Sequence, residues 1–402
     1  MNAPTGAPAT KATLWTRPFV LAWVANFLHC IGFHAYVHAP GWIESRGASE
    51  VGIGLLVATM SLAAILARPT IGRLMDTRGR RVVVLVGGCI HIASALLYLA
   101  VDSLPLSSAA LWPAIVAVRI VHGVAIAALF SVLFTCAADL IPASRRAEGI
   151  ALFGISGMIP LALGGLIGDW VIIGDDYRGL FLTAALFATG GLLVSLELPE
   201  TRVQRTAPER GFWAAAVAPE LRPLWFVGTV FAMGLAAYFA FLKTYLLATP
   251  ELGTMGQFFG AYALSAVLLR LFFGWVPERV GLIRVLVPSM LLGGVGLATI
   301  AVATGPTHLI AAAVACGIGH GFAFPILSAL VVSRAREDER GSAVALFTAL
   351  FDLGALLGGP IFGLALRLTT YPATFAFAAT LVTVATVIYW IWDRPPATPT
   401  AA

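Results

Sequence analysis

Long apolar runs separated by short polar segments make up most of this chain. Each run has about 20 residues, enough for an α-helix to cross roughly 30 Å of hydrocarbon. A helix also satisfies its own backbone hydrogen bonds where water is absent. We therefore predict an all-α membrane fold of twelve spanning helices, near residues 18–40, 51–71, 82–101, 110–138, 148–172, 179–197, 223–247, 256–276, 283–303, 308–333, 342–366 and 372–392.

Two polar segments in matching places indicate that the chain is an internal repeat. Each is a charged turn bounded by glycine: Gly72–Arg81 follows the second run and Gly274–Gly281 follows the eighth, 202 positions later. Further matches recur in the same order: His122-Gly123 with His320-Gly321, Arg146–Phe153 with Arg340–Phe347, and Gly164-Gly165 with Gly358-Gly359. Parallel halves related about the membrane normal are a known transporter plan. We predict six-helix bundles at 1–197 and 223–402, joined by a polar linker at 198–222.

Composition supports the membrane assignment. Apolar residues make up 59% of the chain and charged residues 11%, against roughly 25% charge in a soluble domain. The mean hydropathy is +0.91. The four cysteines lie inside predicted spans without a Cys-x-x-Cys pair, so we expect core residues rather than disulfides or metal ligands.

The arginines predict the orientation, because positive residues concentrate in cytoplasmic loops. With the amino terminus inside, only Arg46, Arg178 and Arg367 fall outside. The cytoplasmic set is Arg73, Arg78, Arg80, Arg81, Arg145, Arg146, Arg202, Arg205, Arg210, Arg222, Arg279, Arg284, Arg334, Arg336, Arg340 and Arg394. Both termini are then cytoplasmic, and residues 1–17, with Lys11 and Arg17, form a tail before a retained first helix rather than a cleaved signal peptide. Topology explains the net charge of +5, and we expect no nucleic-acid partner.

The segment after the second span resembles the signature of the major facilitator superfamily, G-x-L-x-D-R-x-G-R-R, and the segment after the eighth resembles its degenerate second copy. Thr77 stands where the family usually has a basic residue, with Arg78 one position later, and Glu278 replaces Asp in the second copy. The resemblance covers essentially the whole chain. It implies two six-helix bundles around a central transport site.

Looser matches point to one branch of that family. Arg119-x-x-His122-Gly123 is similar to the family motif R-x-x-Q-G, and Gly154–Gly165 resembles the glycine and proline motif in span five of its drug and metabolite antiporters. Arg68-Pro69 before the signature also resembles a branch that contains exporters of metallophores and small metabolites. The resemblance therefore implies export in exchange for another solute.

The same resemblance implies a gate at the two signature segments. Its residues would be Gly72, Arg73, Asp76, Gly79, Arg80 and Arg81 in the first copy and Gly274, Glu278, Arg279 and Gly281 in the second. Physically, a carboxylate such as Asp76 can accept hydrogen bonds from a neighbouring helix in one state and lose them when the bundles rock apart. Positive-inside topology with a tight turn is the alternative, and it would explain Arg80 and Arg81 alone.

Two charged residues lie deep inside predicted spans. Arg119 is about nine residues into the fourth span, which costs about 2.5–3.5 kcal/mol on insertion scales unless it meets water or a partner. We expect it to face a central cavity and bind an anionic group, or else to bind backbone carbonyls. Asp352 lies about ten residues into the eleventh span, where burial favours a protonated carboxyl. It is a candidate proton carrier, or a structural hydrogen-bonding group.

Several histidines lie in the spans, and histidine changes charge near neutral pH. At 100° per residue His34 and His38 share a helix face while His29 points away, so a metal site on the first span is disfavoured. Interhelical hydrogen bonds explain most of them, and His34 and His122 are the best candidates for proton coupling. Lys243 lines the cavity or extends to the surface. Asp169, Asp175 and Asp176 are most simply solvated in an outer loop.

The chain lacks an H-E-x-x-H motif and a Walker A loop, so we predict neither an enzyme nor a transporter driven by ATP. We predict a transporter in the inner (plasma) membrane that exports a small organic molecule in exchange for protons, as a monomer, in contact with lipid and without a cofactor or metal. Two alternatives remain: a proton symporter or facilitator that imports a small metabolite, and a membrane sensor that does not transport.

Overall fold

The computed structural model describes residues 13–142, 145–201, 212–336 and 340–393. Within them, twelve helices are long and apolar enough to span a membrane. We number them α1 to α12: Arg17–Ser45, Glu50–Thr77, Arg80–Ser103, Ser108–Leu140, Arg146–Val171, Arg178–Ser195, Arg222–Ala248, Met255–Phe273, Leu282–Ala301, Pro306–Arg334, Arg340–Leu368 and Tyr371–Trp392. The all-α prediction is confirmed, and the chain is a multi-pass membrane protein.

Glycines with positive φ separate helices at matching points of the two halves. Gly79 (φ 97°) precedes α3 and Gly281 (φ 109°) precedes α9. Glycine is the residue that adopts this backbone conformation without steric cost. The chain therefore reverses direction in the same way after α2 and after α8, as the repeat in the sequence predicts.

The two halves are built alike. In the amino-terminal half α1 packs on α5 and α6, α3 on α4 and α6, and α2 on α4. In the carboxy-terminal half the same pairings recur six helices later: α7 with α11 and α12, α9 with α10 and α12, and α8 with α10. The main contacts between halves are α2 with α11 and α5 with α8, so a pseudo-twofold axis runs through the centre of the molecule.

Some elements differ from the expected ones. The signature segment is not a long turn, because α2 continues through Thr77 and only Arg78 and Gly79 connect it to α3. Its counterpart contains a short helix, Val276–Val280. A second short helix, Phe212–Val217, lies within the expected linker, whose residues 202–211 are outside the described part of the chain.

Helix α1 is not regular in the turn that precedes Pro40. It is α-helical over Arg17–His34, 3₁₀-helical over Ala35–His38, and α-helical again over Ala39–Ser45. Proline donates no backbone hydrogen bond, which favours a local break in the preceding turn. The expectation that His34 and His38 share a face assumed a regular α-helix here; in the structure His34 is hydrogen-bonded to the backbone of Gly157 and His38 lies against that of Gly165, both on α5.

We call the two ends of the bundle the basic end and the far end. The basic end holds the starts of α1, α3 and α5 with the signature segments; the far end holds Arg46–Ser49, the α5–α6 connection and Pro250–Thr254. Lys11, Arg202, Arg205, Arg210 and Arg394 lie outside the described residues. The boundaries 197, 198–222 and 223 stay predictions, although α7 does begin at Arg222.

Candidate functional site

A cavity of about 330 Å³ lies between the two halves. Residues of α1, α2 and α4 form one wall, and residues of α7, α10 and α11 form the other. Most of the lining side chains are apolar, and they include the rings of Phe33, Phe130, Phe239, Phe324 and Phe351. A concave, largely apolar site with a few polar groups is typical of small-molecule binding.

One ion pair crosses this cavity from half to half. Arg68 on α2 donates from Nε to Oδ2 of Asp352 on α11, at 2.7 Å. Its Nη1 also donates to Oγ of Ser131 on α4, at 3.1 Å. Both charged side chains remain partly accessible, Arg68 at 18% and Asp352 at 24%, as expected for groups on a cavity wall.

Arg119 lies on the same cavity and is almost fully buried, with 4% of its surface exposed. Its Nε donates to the backbone carbonyl of Leu56 on α2, at 2.9 Å. In the part of the chain that the structure covers, it forms no ion pair. Arg119 therefore binds a backbone carbonyl, as one of the two alternatives expected, and it also lines the cavity, while its binding of an anionic group stays a prediction.

The two halves touch closely at the far end. A Cβ placed on Gly359 of α11 would lie 2.6 Å from the carbonyl oxygen of Gly54 on α2, and one on Gly363 would lie 2.6 Å from that of Glu50. On the other side of the molecule, a Cβ on Gly165 of α5 would lie 3.0 Å from the carbonyl oxygen of Met255 on α8. Glycine permits each of these backbone approaches.

Asp169 reinforces this closure. Its Oδ2 accepts a hydrogen bond of 2.6 Å from the backbone N–H of Gly256, in the first turn of α8. A carboxylate is stabilised there by the unpaired N–H groups and the dipole of the helix. The expectation that Asp169 is simply solvated is wrong, because it joins α5 to the other half.

At the basic end the signature carboxylates have no such contacts. Asp76 is exposed and forms no hydrogen bond or ion pair with the described residues, and Glu278 is exposed in the same way. A Cβ on Gly72 would meet no atom within 4 Å. Arg73 is also exposed, and Arg279 lies 4.8 Å from the ring centre of Trp275. Gly274 is the residue that follows the last turn of α8.

The close contacts between the two halves lie at the far end, and the signature carboxylates add none at the basic end. The cavity is therefore closed at the far end and less restricted at the basic end.

The last part of the signature acts within the amino-terminal half. The Arg80 side chain is 2% exposed and its Nε donates to Oδ2 of Asp139 at the end of α4, at 2.9 Å. Glu200 accepts from the backbone N–H groups of Arg80 at 2.9 Å and Arg81 at 3.2 Å. The Arg81 side chain donates to the carbonyl of Leu196. These bonds tie the start of α3 to the ends of α4 and α6.

The histidines occupy separate places. His34 lines the cavity, whereas His122 is fully buried behind it beside Tyr36 and Tyr98. His29 faces away from the cavity, with its Nδ1 3.3 Å from that of His91. His38 Nε2 lies 3.0 Å from the carbonyl oxygen of Gly165, and His320 is hydrogen-bonded to Tyr262.

Lys243 and the loop aspartates lie near the far end. Lys243 does not line the central cavity; its side chain packs against Gly41 of α1. Asp176 is exposed and hydrogen-bonds the Arg178 side chain at 2.6 Å, which lowers the pKa of that carboxyl to about 2. Asp176 therefore stays ionised at any pH near neutrality.

Some site residues were not anticipated. Arg68 was noted only as part of a family cue, although it lies inside the second predicted span, three residues from its end. Tyr36 also lines the cavity. No local signal marks Asp139 or Glu200 as partners of the signature, because those contacts depend on helix packing.

Comparison with known proteins agrees with this architecture. The family model of the Major Facilitator Superfamily matches residues 22–255 and again residues 224–402. The chain belongs to this superfamily of membrane transporters. The two matched ranges overlap at residues 224–255.

Curated relatives share the family but have no assigned substrate. The uncharacterized MFS-type transporter YhhS of Salmonella enteritidis is 25% identical over 373 residues, covering 90% of this chain and 89% of the relative. YhhS of Escherichia coli O157:H7 is 26% identical over 379 residues, covering 89% and 88%.

Solved structures show the same fold at low identity. The nucleoside transporter NupG (D323A mutant) superposes with a TM-score of 0.78 at 14% identity, covering 94% of this chain and all 100% of that one. The human organic anion transporter MFSD10 gives 0.72 at 18% identity, covering 93% and 99%. A POT family transporter in complex with a thioalcohol-conjugated peptide gives 0.77 at 14%, covering 94% and 96%.

Proposed function

We propose that this chain exports a small organic molecule in exchange for protons, and that Asp352 carries the proton. The observation that carries the proposal is the Arg68–Asp352 ion pair, because it joins the two halves across the cavity where a substrate would bind. A proton on Asp352 removes one charge of the pair and releases Arg68. Protonation would therefore change both the binding site and a link between the halves.

Alternating access gives this pair its role. With Asp169–Gly256 and the glycine contacts closing the far end, a substrate would enter from the basic end. We propose that the basic end faces the cytoplasm, following the positive-inside rule. The cycle would continue by rocking of the halves until the far end opens to the more acidic side, where Asp352 takes up a proton.

Export is the direction implied by the antiporter-like motif of α5, Gly154–Gly165. One of its glycines makes a close contact between the halves at the far end, because a Cβ on Gly165 would lie 3.0 Å from the carbonyl oxygen of Met255 on α8. This motif would therefore move when the far end opens. The transporters of similar fold, one for nucleosides, one for organic anions and one in complex with a conjugated peptide, support a small organic cargo without choosing one.

Import of a metabolite together with a proton is a second candidate function, and one observation favours it. Arg119 gives the cavity a positive charge that no described residue balances. A negatively charged substrate bound there would stabilise a proton on Asp352, so that the two would bind together rather than compete.

Proteoliposomes containing a pH-sensitive dye test the proposal. A small-molecule extract of the source cells is added outside, and lumenal pH is followed for the native protein, Asp352→Asn and empty liposomes. Exchange for protons predicts that the lumen becomes more alkaline with the native protein only. Acidification of the lumen would identify import with a proton. Equal responses from the native protein and Asp352→Asn would exclude Asp352 as the proton carrier.

A further inference from the structure

We infer that the cavity binds small organic anions with an apolar, preferably aromatic, body, and that Arg119 and Tyr36 hold the anionic group. This inference rests on the proposed function only in taking the cavity as the substrate site. Its test measures binding and does not depend on the direction of transport, although an anionic substrate would favour the second candidate function, import together with a proton.

The charges of the cavity wall are unequal. Its acidic and basic residues are Asp352, Arg68, Arg119 and His34, and Asp352 already accepts a hydrogen bond from Arg68. One guanidinium group, that of Arg119, remains without a carboxylate partner in the described chain. A charge removed from water is costly unless it is paired, and the cost is greatest where the surroundings are apolar. The side chains of the cavity wall therefore carry one positive charge that no carboxylate of the described residues balances.

The geometry of Arg119 leaves donors for a ligand. Its Nε is already bonded to the carbonyl of Leu56, which fixes the orientation of the planar group. A guanidinium group has five N–H donors; the Tyr98 hydroxyl also lies beside this one, and the other donors on its two terminal nitrogens are not used by these contacts. Such a group recognises carboxylate, sulfonate or phosphate oxygens with two parallel hydrogen bonds.

Tyr36 provides an independent sign of a missing polar partner. Its side chain lines the cavity and is 7% exposed, and its hydroxyl is buried with no hydrogen-bond partner among the residues covered by the structure. The ring of Tyr36 lies against that of His122, one helical turn after Arg119, with centroids 4.5 Å apart. Tyr36 and Arg119 are thus held near each other, and an anion between them would satisfy both.

The remaining residues of the cavity wall favour an apolar, aromatic ligand. Aromatic rings from both halves line it, and Phe324 and Phe351 form an edge-to-face pair with centroids 5.0 Å apart. The volume of about 330 Å³ is near the lower limit of the roughly 300–1,000 Å³ usual for small-molecule sites. A compact aryl or alkyl anion fits this description better than a strongly hydrated inorganic one.

Matched probes test the charge preference. Benzenesulfonate and benzenesulfonamide have nearly the same shape, but only the first is an anion at neutral pH, and benzylamine is a cation. Binding of each to the full-length purified protein is measured by calorimetry, with benzoate as a second anion. We expect saturable binding of the two anions, with affinities about tenfold or more above those of the amide and the amine.

Three substitutions locate the site. Arg119→Gln should weaken anion binding by about tenfold to a hundredfold, because it removes a positive charge and paired hydrogen bonds, and Tyr36→Phe by a few fold, because it removes one neutral donor. Arg284→Gln makes the same change at an exposed arginine away from the cavity and should bind as the native protein does.

Several results would overturn the inference. They are equal affinity for the sulfonamide, preference for the amine, absence of saturable anion binding at millimolar concentrations, and equal loss in the Arg119 and Arg284 variants. The charge preference is measured on the native protein, so a folding failure of Arg119→Gln leaves the test intact. If anions do not bind but the dye assay still shows proton movement, this inference fails while the proposed function stands.

Discussion

Gly54 and Gly359 bring the backbones of α2 and α11 into contact at the far end. A Cβ on Gly359 would lie 2.6 Å from the carbonyl oxygen of Gly54, which is closer than real Cβ atoms approach an oxygen. Because neither partner in this contact is a flexible side chain, a larger residue would separate the helices. The contact of α2 with α11 at the far end therefore depends on residues that carry no charge.

We expect Gly359→Ala to increase access to the cavity from the far side. The measurement is the labelling rate of Ser61→Cys, a cavity residue, by a thiol reagent that does not cross membranes, in a protein whose four native cysteines are replaced. Gly260→Ala is the control, since a Cβ there would meet nothing within 4 Å. Equal labelling in both variants would show that the glycine contact does not hold the far end closed.

Sequence patterns predicted the helices well and their contacts poorly. The twelve spans follow from runs of apolar residues, which is a local property of the chain. The Arg68–Asp352 pair joins residues 284 positions apart and could be recognised only once α2 and α11 were in place. The cost of burying a charge did indicate Arg119 and Asp352 as candidate functional residues, because a charged side chain inside a span is costly unless it meets water or a partner. The 3₁₀ turn before Pro40 was also not predicted, because the helical projection assumed 100° per residue throughout the first span.

Asp169→Asn should weaken closure of the far end without unfolding the protein. The amide oxygen of the variant can still accept a hydrogen bond from the N–H of Gly256. The variant lacks the negative charge, which interacts favourably with the dipole at the start of α8. Labelling of Ser61→Cys from the far side should rise modestly, by less than in Gly359→Ala. A rate unchanged from the native background would mean that the Asp169 charge contributes nothing to closure.

Arg80→Ala should destabilise the protein strongly. Arg80 and Asp139 are 2% and 5% exposed, and removing one partner of a buried ion pair costs about 3–5 kcal/mol. Arg73→Ala alters an exposed arginine of the same segment and should change the free energy of unfolding by about 0.5 kcal/mol or less. Thermal unfolding of the purified variants compares them, and similar melting temperatures would contradict a structural role for Arg80.

Asp76→Asn should leave the stability of this conformation unchanged and reduce transport. Asp76 is exposed and without a partner in the described structure, so its loss removes no contact here. A gate role requires that the carboxylate gains partners when the basic end closes. Unfolding and proton movement in the dye assay are measured together. Unchanged proton movement would show that Asp76 has no part in gating.

Proton exchange through Asp352 is tested most directly by metabolite profiles of cells and medium. Cells with the native protein, Asp352→Asn, Asp176→Asn and a deletion are compared. Asp176 is the matched control, because its pKa of about 2 beside Arg178 keeps it ionised and unable to carry protons near neutral pH.

We predict that one compound or class accumulates inside the deletion and Asp352→Asn cells and is depleted from their medium. Asp176→Asn cells should match the native cells, and a protonophore should give native cells the profile of Asp352→Asn. Indistinguishable profiles in native and Asp352→Asn cells would contradict the account.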